Sequence, residues 1–148
     1  MQELEGYFKG LADHNRMRII NLLSHGELCV CDIQRILDAS QPNVSRHLNY
    51  LKHSGLVLDR REGFRVFYRL SAEGDSTLQG LWEFLCGVFK RERILQADLR
   101  KLRQAIREGA CAIPTDRALH GRVPPPGSRT SAQRLWRARS IMPIRARS

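Results

Sequence analysis

The chain has 148 residues, 42% of them hydrophobic, which suits one small domain with a modest core. Its formal charge of +10 favours a polyanionic partner, yet residues 110–148 hold eight arginines against one acid, Asp116, so the rest of the chain is only mildly basic. No apolar run approaches the ~20 residues of a membrane span and no basic-then-apolar signal opens the chain, so the expected location is the cytoplasm, where four cysteines stay reduced and free for metal or redox chemistry rather than forming a disulfide framework.

Leu4, Tyr7, Phe8, Leu11 and Ala12 recur at helical spacing and predict an amphipathic first helix that ends near Asp13, a residue able to cap the next. A second helix over 15–24 buries Met17, Ile19, Ile20, Leu22 and Leu23, and His25-Gly26 stops it. Two further helices then flank Asp38-Ala39-Ser40, the spacing of a helix-turn-helix. After Gly55 the periodicity changes to two. Residues 56–60 and 65–70 read as the strands of a hairpin, with the turn at Arg61-Glu62-Gly63-Phe64. Next comes a long helical stretch carrying Leu78, Leu81, Trp82, Leu85, Val88 and Phe89 on one stripe. Leu95, Leu99, Leu102 and Ile106 continue it as a narrow seam that asks for a partner helix. Beyond Gly109 the texture changes to Pro124-Pro125-Pro126 with scattered Arg and Ser. The expected organisation is therefore a domain over 1–109 and a basic Pro/Arg-rich tail over 110–148 that reads as disordered, either dispensable or adding nonspecific phosphate attraction.

Two segments carry the chemistry. Glu27-Leu28-Cys29-Val30-Cys31-Asp32 puts two cysteines one residue apart at the start of the third helix, and Ser40-Gln41-Pro42-Asn43-Val44-Ser45-Arg46-His47-Leu48 opens the fourth. Together they resemble the ArsR/SmtB family of winged-helix metalloregulatory repressors, in particular its arsenical-resistance members, over about residues 4–108. The resemblance implies a mainly α winged helix-turn-helix fold with a β-hairpin wing. It also implies a homodimer, formed through the N-terminal and long C-terminal helices, that sits on palindromic operator DNA and leaves it when a metal binds.

On the fourth helix, placing Val44, Leu48 and Leu51 against the core turns Pro42, Arg46, Asn49 and His53 outward. Ser40 can serve as N-cap, leaving N-terminal N–H groups for phosphate. Gln41, Asn43, Ser45 and Arg46 are the candidates for base contacts, since Asn or Gln suits adenine and Arg suits guanine. His47 falls close to the buried side, for packing or a phosphate contact. Arg61 and Arg65 flank the hairpin turn and suit the DNA backbone or minor groove.

Winged-helix relatives often open the third helix with Ser-Val-Gly-Glu-Leu, and that frame puts Cys29 at the N-cap and Cys31 at the second helical position. There the helix dipole favours thiolates. Residues i and i+2 of a regular helix point about 200° apart, so gripping one As(III) or Sb(III) ion is expected to unwind the first turn and displace the fourth helix behind it. Arsenical members often carry a third cysteine where this chain has Gln34. Cys111, a solvent hydroxide or a small cellular thiol could complete the site, whereas Cys86 reads as a buried core thiol.

A Cd(II), Pb(II) or Zn(II) sensor is the alternative, although no cysteine precedes Cys29 and residues 90–108 hold no histidine. Thiol-oxidation sensing is another, with an i, i+2 disulfide expected to be strained, and a constitutive repressor with incidental cysteines is a third. No nucleotide-binding glycine loop, Ser-His-Asp arrangement or catalytic carboxylate pair is present, so the chain reads as a regulator and not as an enzyme.

Overall fold

Asp13 separates the first two helices. Helix α1, Gln2–Leu11, ends before it, and its carboxylate accepts from the Arg16 backbone N–H at 3.0 Å as the N-cap of α2, His14–Leu23. The computed structural model describes residues 1–71 and 75–108; the tail over 110–148, and Cys111 within it, lie outside the described residues. After α2 come β1 (Leu28–Cys29), α3 (Val30–Leu37), α4 (Gln41–His53), β2 (Val57–Glu62), β3 (Arg65–Leu70), α5 (Ser76–Phe89) and α6 (Arg93–Arg107). The strands make one antiparallel sheet in the order β1-β3-β2. This is the winged helix-turn-helix expected from the sequence.

Ile19, Leu22, Ile33, Leu48, Leu51, Leu56 and Phe67 are fully buried where α2, α3, α4 and the sheet meet. Each contributes about 1.5–3 kcal/mol on leaving water. Helix α1 lies tight against the end of α4, because Gly10 has no side chain: a Cβ there would stand 2.5 Å from Leu56 Cδ1. In the wing, β2 and β3 pair from Val57↔Leu70 to Glu62↔Arg65, so the hairpin loop is only Gly63-Phe64, with Gly63 at a φ of +59°. The strand is longer and the turn tighter than the sequence suggested.

Two expectations need correction. The long C-terminal helix is two helices, broken at Lys90-Arg91-Glu92, where Glu92 takes an extended conformation as the N-cap of α6. Moreover, the Leu95, Leu99 and Leu102 seam is buried within the protomer, against α2 and α3. Arg18 on α2 grips the Asp98 carboxylate through Nε at 2.7 Å and Nη2 at 2.8 Å, and Asn21 Nδ2 donates to the Leu95 carbonyl at 3.0 Å. A heptad-like spacing marks a stripe that must be covered; it does not say by which chain. Large apolar side chains left uncovered on the helices include Leu4 and Phe8 on α1, Phe84 and Val88 on α5 and Ile94 on α6.

Helix α5 is tied to the core at its start. Asp75 accepts from the Thr77 and Leu78 backbone N–H groups and from the Tyr7 hydroxyl, and Trp82 Nε1 donates to the Ser71 carbonyl at 2.7 Å. The Leu78 N–H, with Tyr7 and Thr77, holds the Asp75 carboxyl below the ordinary carboxylate range.

Two outcomes follow from these contacts. Asp98→Ala leaves the 13%-exposed Arg18 side chain without its partner and is expected to cost about 3–5 kcal/mol in urea unfolding. Because the Asp75 pKa is depressed in the folded state, its contribution is complete above the unfolded value of about 3.9 and disappears as pH falls through the folded one. Asp75→Asn keeps the cap but removes the charge. In thermal melts wild type should therefore exceed it at pH 7, with the gap closing under acid.

Candidate metal centre and nucleic-acid interface

Cys29 belongs to two elements at once. It ends β1, paired in register with Phe67 of β3, and it is the N-cap of α3, with φ −82° and ψ 160°. Cys31 is then the second helical residue and Asp32 the third. The N-cap is extended rather than helical, so the 200° separation of a regular helix does not apply. The two Sγ atoms converge and are joined as a disulfide, with the Cα atoms 5.5 Å apart. The expectation that both sulfurs could meet only if the first turn unwound is thereby corrected.

The three residues at the head of α3 differ in access. Cys29 is 1% exposed, Cys31 is exposed and Asp32 is 4% exposed. Asp32 Oδ2 lies 2.9 Å from Cys29 Sγ, a contact through which a reduced Cys29 thiol donates. Burial pushes the Asp32 carboxyl up from its usual range, and Arg65 and Arg35 oppose that shift. One ligand atom from each of Cys29, Cys31 and Asp32 falls within 4.8 Å of the others. Two sulfurs and one carboxylate suit a thiophilic ion better than a hard cation, which prefers an all-oxygen shell. Such a group is reachable from solvent on the Cys31 side.

Asp32 is the member of this group that cysteine spacing alone does not reveal. Its signal was there: a cap residue followed three positions later by an acid is the spacing of a capping box. Cys111, named as a third ligand, lies outside the described residues. Cys86 is half-buried on α5, and burial pushes its thiol up, as suits a core thiol rather than a ready thiolate.

The centre is fastened to the wing as well as to α4. Besides the Cys29↔Phe67 pairing, Arg60 of β2 donates through Nε to Glu27 at 2.5 Å, reaches Glu62 at 2.8 Å and lies 4.7 Å over the Phe67 ring. Helix α3 packs on α4 across the Asp38-Ala39-Ser40 turn, in which Asp38 takes a left-handed conformation.

On α4, Val44, Leu48 and Leu51 face the core, and Gln41, Pro42, Arg46, Asn49 and His53 are exposed. Asn43 and Ser45 are half-buried on the flank. Arg46 Nη2 donates to Asn43 Oδ1 at 2.7 Å, so two of the candidate base-reading side chains are held together. Ser40 is the N-cap by position, but its side chain makes no capping bond, which leaves its hydroxyl free for another acceptor or donor. His47 is 8% exposed, with Nδ1 3.6 Å from Asp13 Oδ1, and burial lowers its pKa. That burial and the Asp13 contact fit the packing role given to it. Arg61 and Arg65 are exposed at the wing, on either side of the Gly63-Phe64 loop.

A helix-turn-helix with a hairpin wing and a thiol pair at its first helix defines a winged-helix regulator. Residues 13–58 match the model of the bacterial regulatory protein, arsR family. The arsenical resistance operon repressor of Staphylococcus aureus is 40% identical over 81 residues, which cover 54% of this chain and 78% of that protein. The chain belongs to the ArsR family, a family of regulatory proteins and not of enzymes. The arsenical resistance operon repressor of Escherichia coli K12 is 60% identical over 65 residues, 43% of this chain and 56% of that protein. The cadmium resistance regulator CadC of Listeria innocua is 48% identical over 66 residues, 44% and 56% of the two chains. In both of these the match spans little more than half of the relative. Among solved structures, the homodimeric winged helix-turn-helix DNA-binding domain of Mb0332 from Mycobacterium bovis is similar at 32% identity and a TM-score of 0.52, covering 58% of this chain and 77% of that one. Among the described residues no helix is long and apolar enough to cross a membrane.

If Asp32 orients and polarises Cys29, Asp32→Asn should weaken affinity for a thiophilic ion about 10–100-fold while both sulfurs still engage it. Competition against a dithiol chelator, read beside the sulfur-to-metal absorbance, measures both. Unchanged affinity would make the carboxylate a bystander.

Proposed function

We propose that the chain is a DNA-binding transcriptional repressor that releases its palindromic operator when As(III) or Sb(III) binds Cys29 and Cys31. The observation that carries this reading is the convergence of the two sulfurs, with the Asp32 carboxylate, at the head of the helix that packs on α4. Cd(II), Pb(II) or Zn(II) as inducer is the neighbouring reading. The described residues favour the trivalent ions, because they offer two sulfurs where a four-sulfur site would need more.

When bound, the ion supplies bonds to two thiolate sulfurs. The protein does the rest. Cys29 and Cys31 hold the ion, Asp32 fixes the Cys29 side chain, and buried Ile33 and Ile36 make the rest of α3 move as a unit with α4. Any shift of Cys29 is also felt by Phe67, its partner across the β1–β3 ladder. Two DNA-facing elements thus share one attachment point. A coupling of about 1–3 kcal/mol between ion and DNA, equal in both directions, is enough for a 5–150-fold change in operator affinity.

The dimer of this reading buries Leu4, Phe8, Phe84 and Val88 of α1 and α5, and α6 stays with its own protomer. A second reading is favoured by the disulfide: oxidation of the same pair, with two electrons and two protons passing to an oxidant such as a peroxide, would act at the same position.

Fluorescence anisotropy on an operator duplex under reducing conditions tests the proposal. Arsenite or antimonite should release wild type, whereas Cys29→Ser/Cys31→Ser should bind and stay. Release by cadmium or lead alone would move the inducer to the divalent class, and release by peroxide alone would favour the redox reading. Phe84→Glu should shift sedimentation to monomer and weaken operator binding at least tenfold.

A further inference from the structure

One large side chain serves neither the core nor the thiol centre. Phe64 is the second residue of the two-residue loop between β2 and β3, and at 109% relative exposure it stands clear of the sheet end. Fold chemistry does not call for it. Two-residue hairpin loops are satisfied by Gly, Asn, Asp or Ser, and Gly63 already supplies the left-handed residue, so an aromatic here gains nothing from packing. Leu4, Phe8, Phe84 and Val88 lie on helix faces that a second copy can cover, whereas Phe64 stands at the tip of a thin finger between the exposed cations Arg61 and Arg65.

An apolar ring between two arginines matches a cleft with anionic rims and an apolar floor. The DNA minor groove has that character, with phosphates at its edges and sugar and base C–H groups inside. Reach agrees as well. Strands β2 and β3 are six residues long, which at ~3.3 Å per residue gives a finger of ~20 Å. A major groove and the next minor groove are separated by half a helical turn, ~17 Å. With α4 in one groove, the wing tip arrives at the other.

We propose that Phe64 enters the minor groove beside the half-site read by α4 and leans as a wedge on one base step, with Arg61 and Arg65 on the flanking phosphates. This rests on the DNA-binding reading above. Its consequence is specificity at a position that α4 does not touch. Unstacking is easiest at pyrimidine–purine steps, so wild type prefers TA to AA at the flanking step.

The test uses the full chain on a duplex recovered by selection from a random pool, remade with TA or AA at the flanking step and with 2-aminopurine placed there. Phe64→Ser should melt like wild type, because nothing packs on the ring. It should bind the TA duplex about 5–100-fold more weakly, lose the TA preference and leave 2-aminopurine dark where wild type brightens it. Phe64→Leu, still an apolar wedge, should recover part of the preference. If Phe64→Ser binds within twofold and keeps the step preference, the proposal is overturned with the repressor reading intact. A change in sedimentation with Phe64→Ser while DNA binding is unaffected would also overturn it, by assigning the ring to a protein contact. Failure of wild type to select any duplex would overturn the DNA-binding reading and this proposal with it.

Discussion

The extended backbone of Cys29 is the constraint on which the rest depends. Its φ and ψ let one residue close a strand ladder with Phe67 and open helix α3. Were Cys29 helical, β1 would lose its last pairing and the two sulfurs would diverge by about 200°. Because it is extended, the Sγ atoms of Cys29 and Cys31 meet at the head of α3. The same conformation brings Cys29 within reach of the buried Asp32 carboxylate. Sulfur geometry and sheet register are therefore set by one residue.

That arrangement explains how a small site can act on a large surface. The domain has little slack: Phe67 and the side chains of Ile33, Leu48 and Leu51 are sealed from solvent, and a packed core passes on a displacement instead of absorbing it. Movement at Cys29 has two outlets. One runs through α3 to α4 across the Asp38 turn. The other runs through β3 to the wing, reinforced by the Arg60 contacts to Glu27, Glu62 and the Phe67 ring. On the proposed reading, a device joined to both α4 and the wing needs only a modest change at either to weaken a DNA contact that both would make together.

Much of this was legible in the sequence. Asp13 announced a cap, Val44, Leu48 and Leu51 announced the buried side of α4 and hence its exposed side, and Gly63 marked the hairpin. In each case a local rule of spacing or backbone conformation settles the outcome without the rest of the chain. The break between α5 and α6 was not legible, because Leu95, Leu99, Leu102 and Ile106 continue a helical stripe and the turn at 90–92 contains neither Gly nor Pro. Nor was the cover for that seam. Asp98 reads as a surface acid until Arg18, eighty residues away, is seen to hold it. At the thiol centre, the helical positions of Cys29 and Cys31 were correct, but the sulfur geometry was misjudged by extending helical angles to a cap, and β1 is too short to have a period.

The central claim is that the Cys29–Cys31 centre is mechanically attached to both the wing and the reading helix. Hydrogen exchange of the reduced protein, with and without arsenite, tests it most directly. The account predicts altered protection along the Leu28↔Tyr68 and Cys29↔Phe67 ladder and in the first turns of α3 and α4, with the α2–α6 contact around Asp98 unchanged. Protection that changes only at the exposed Cys31 backbone, or nowhere, would mean that the ion sits on the protein without engaging the elements that face DNA.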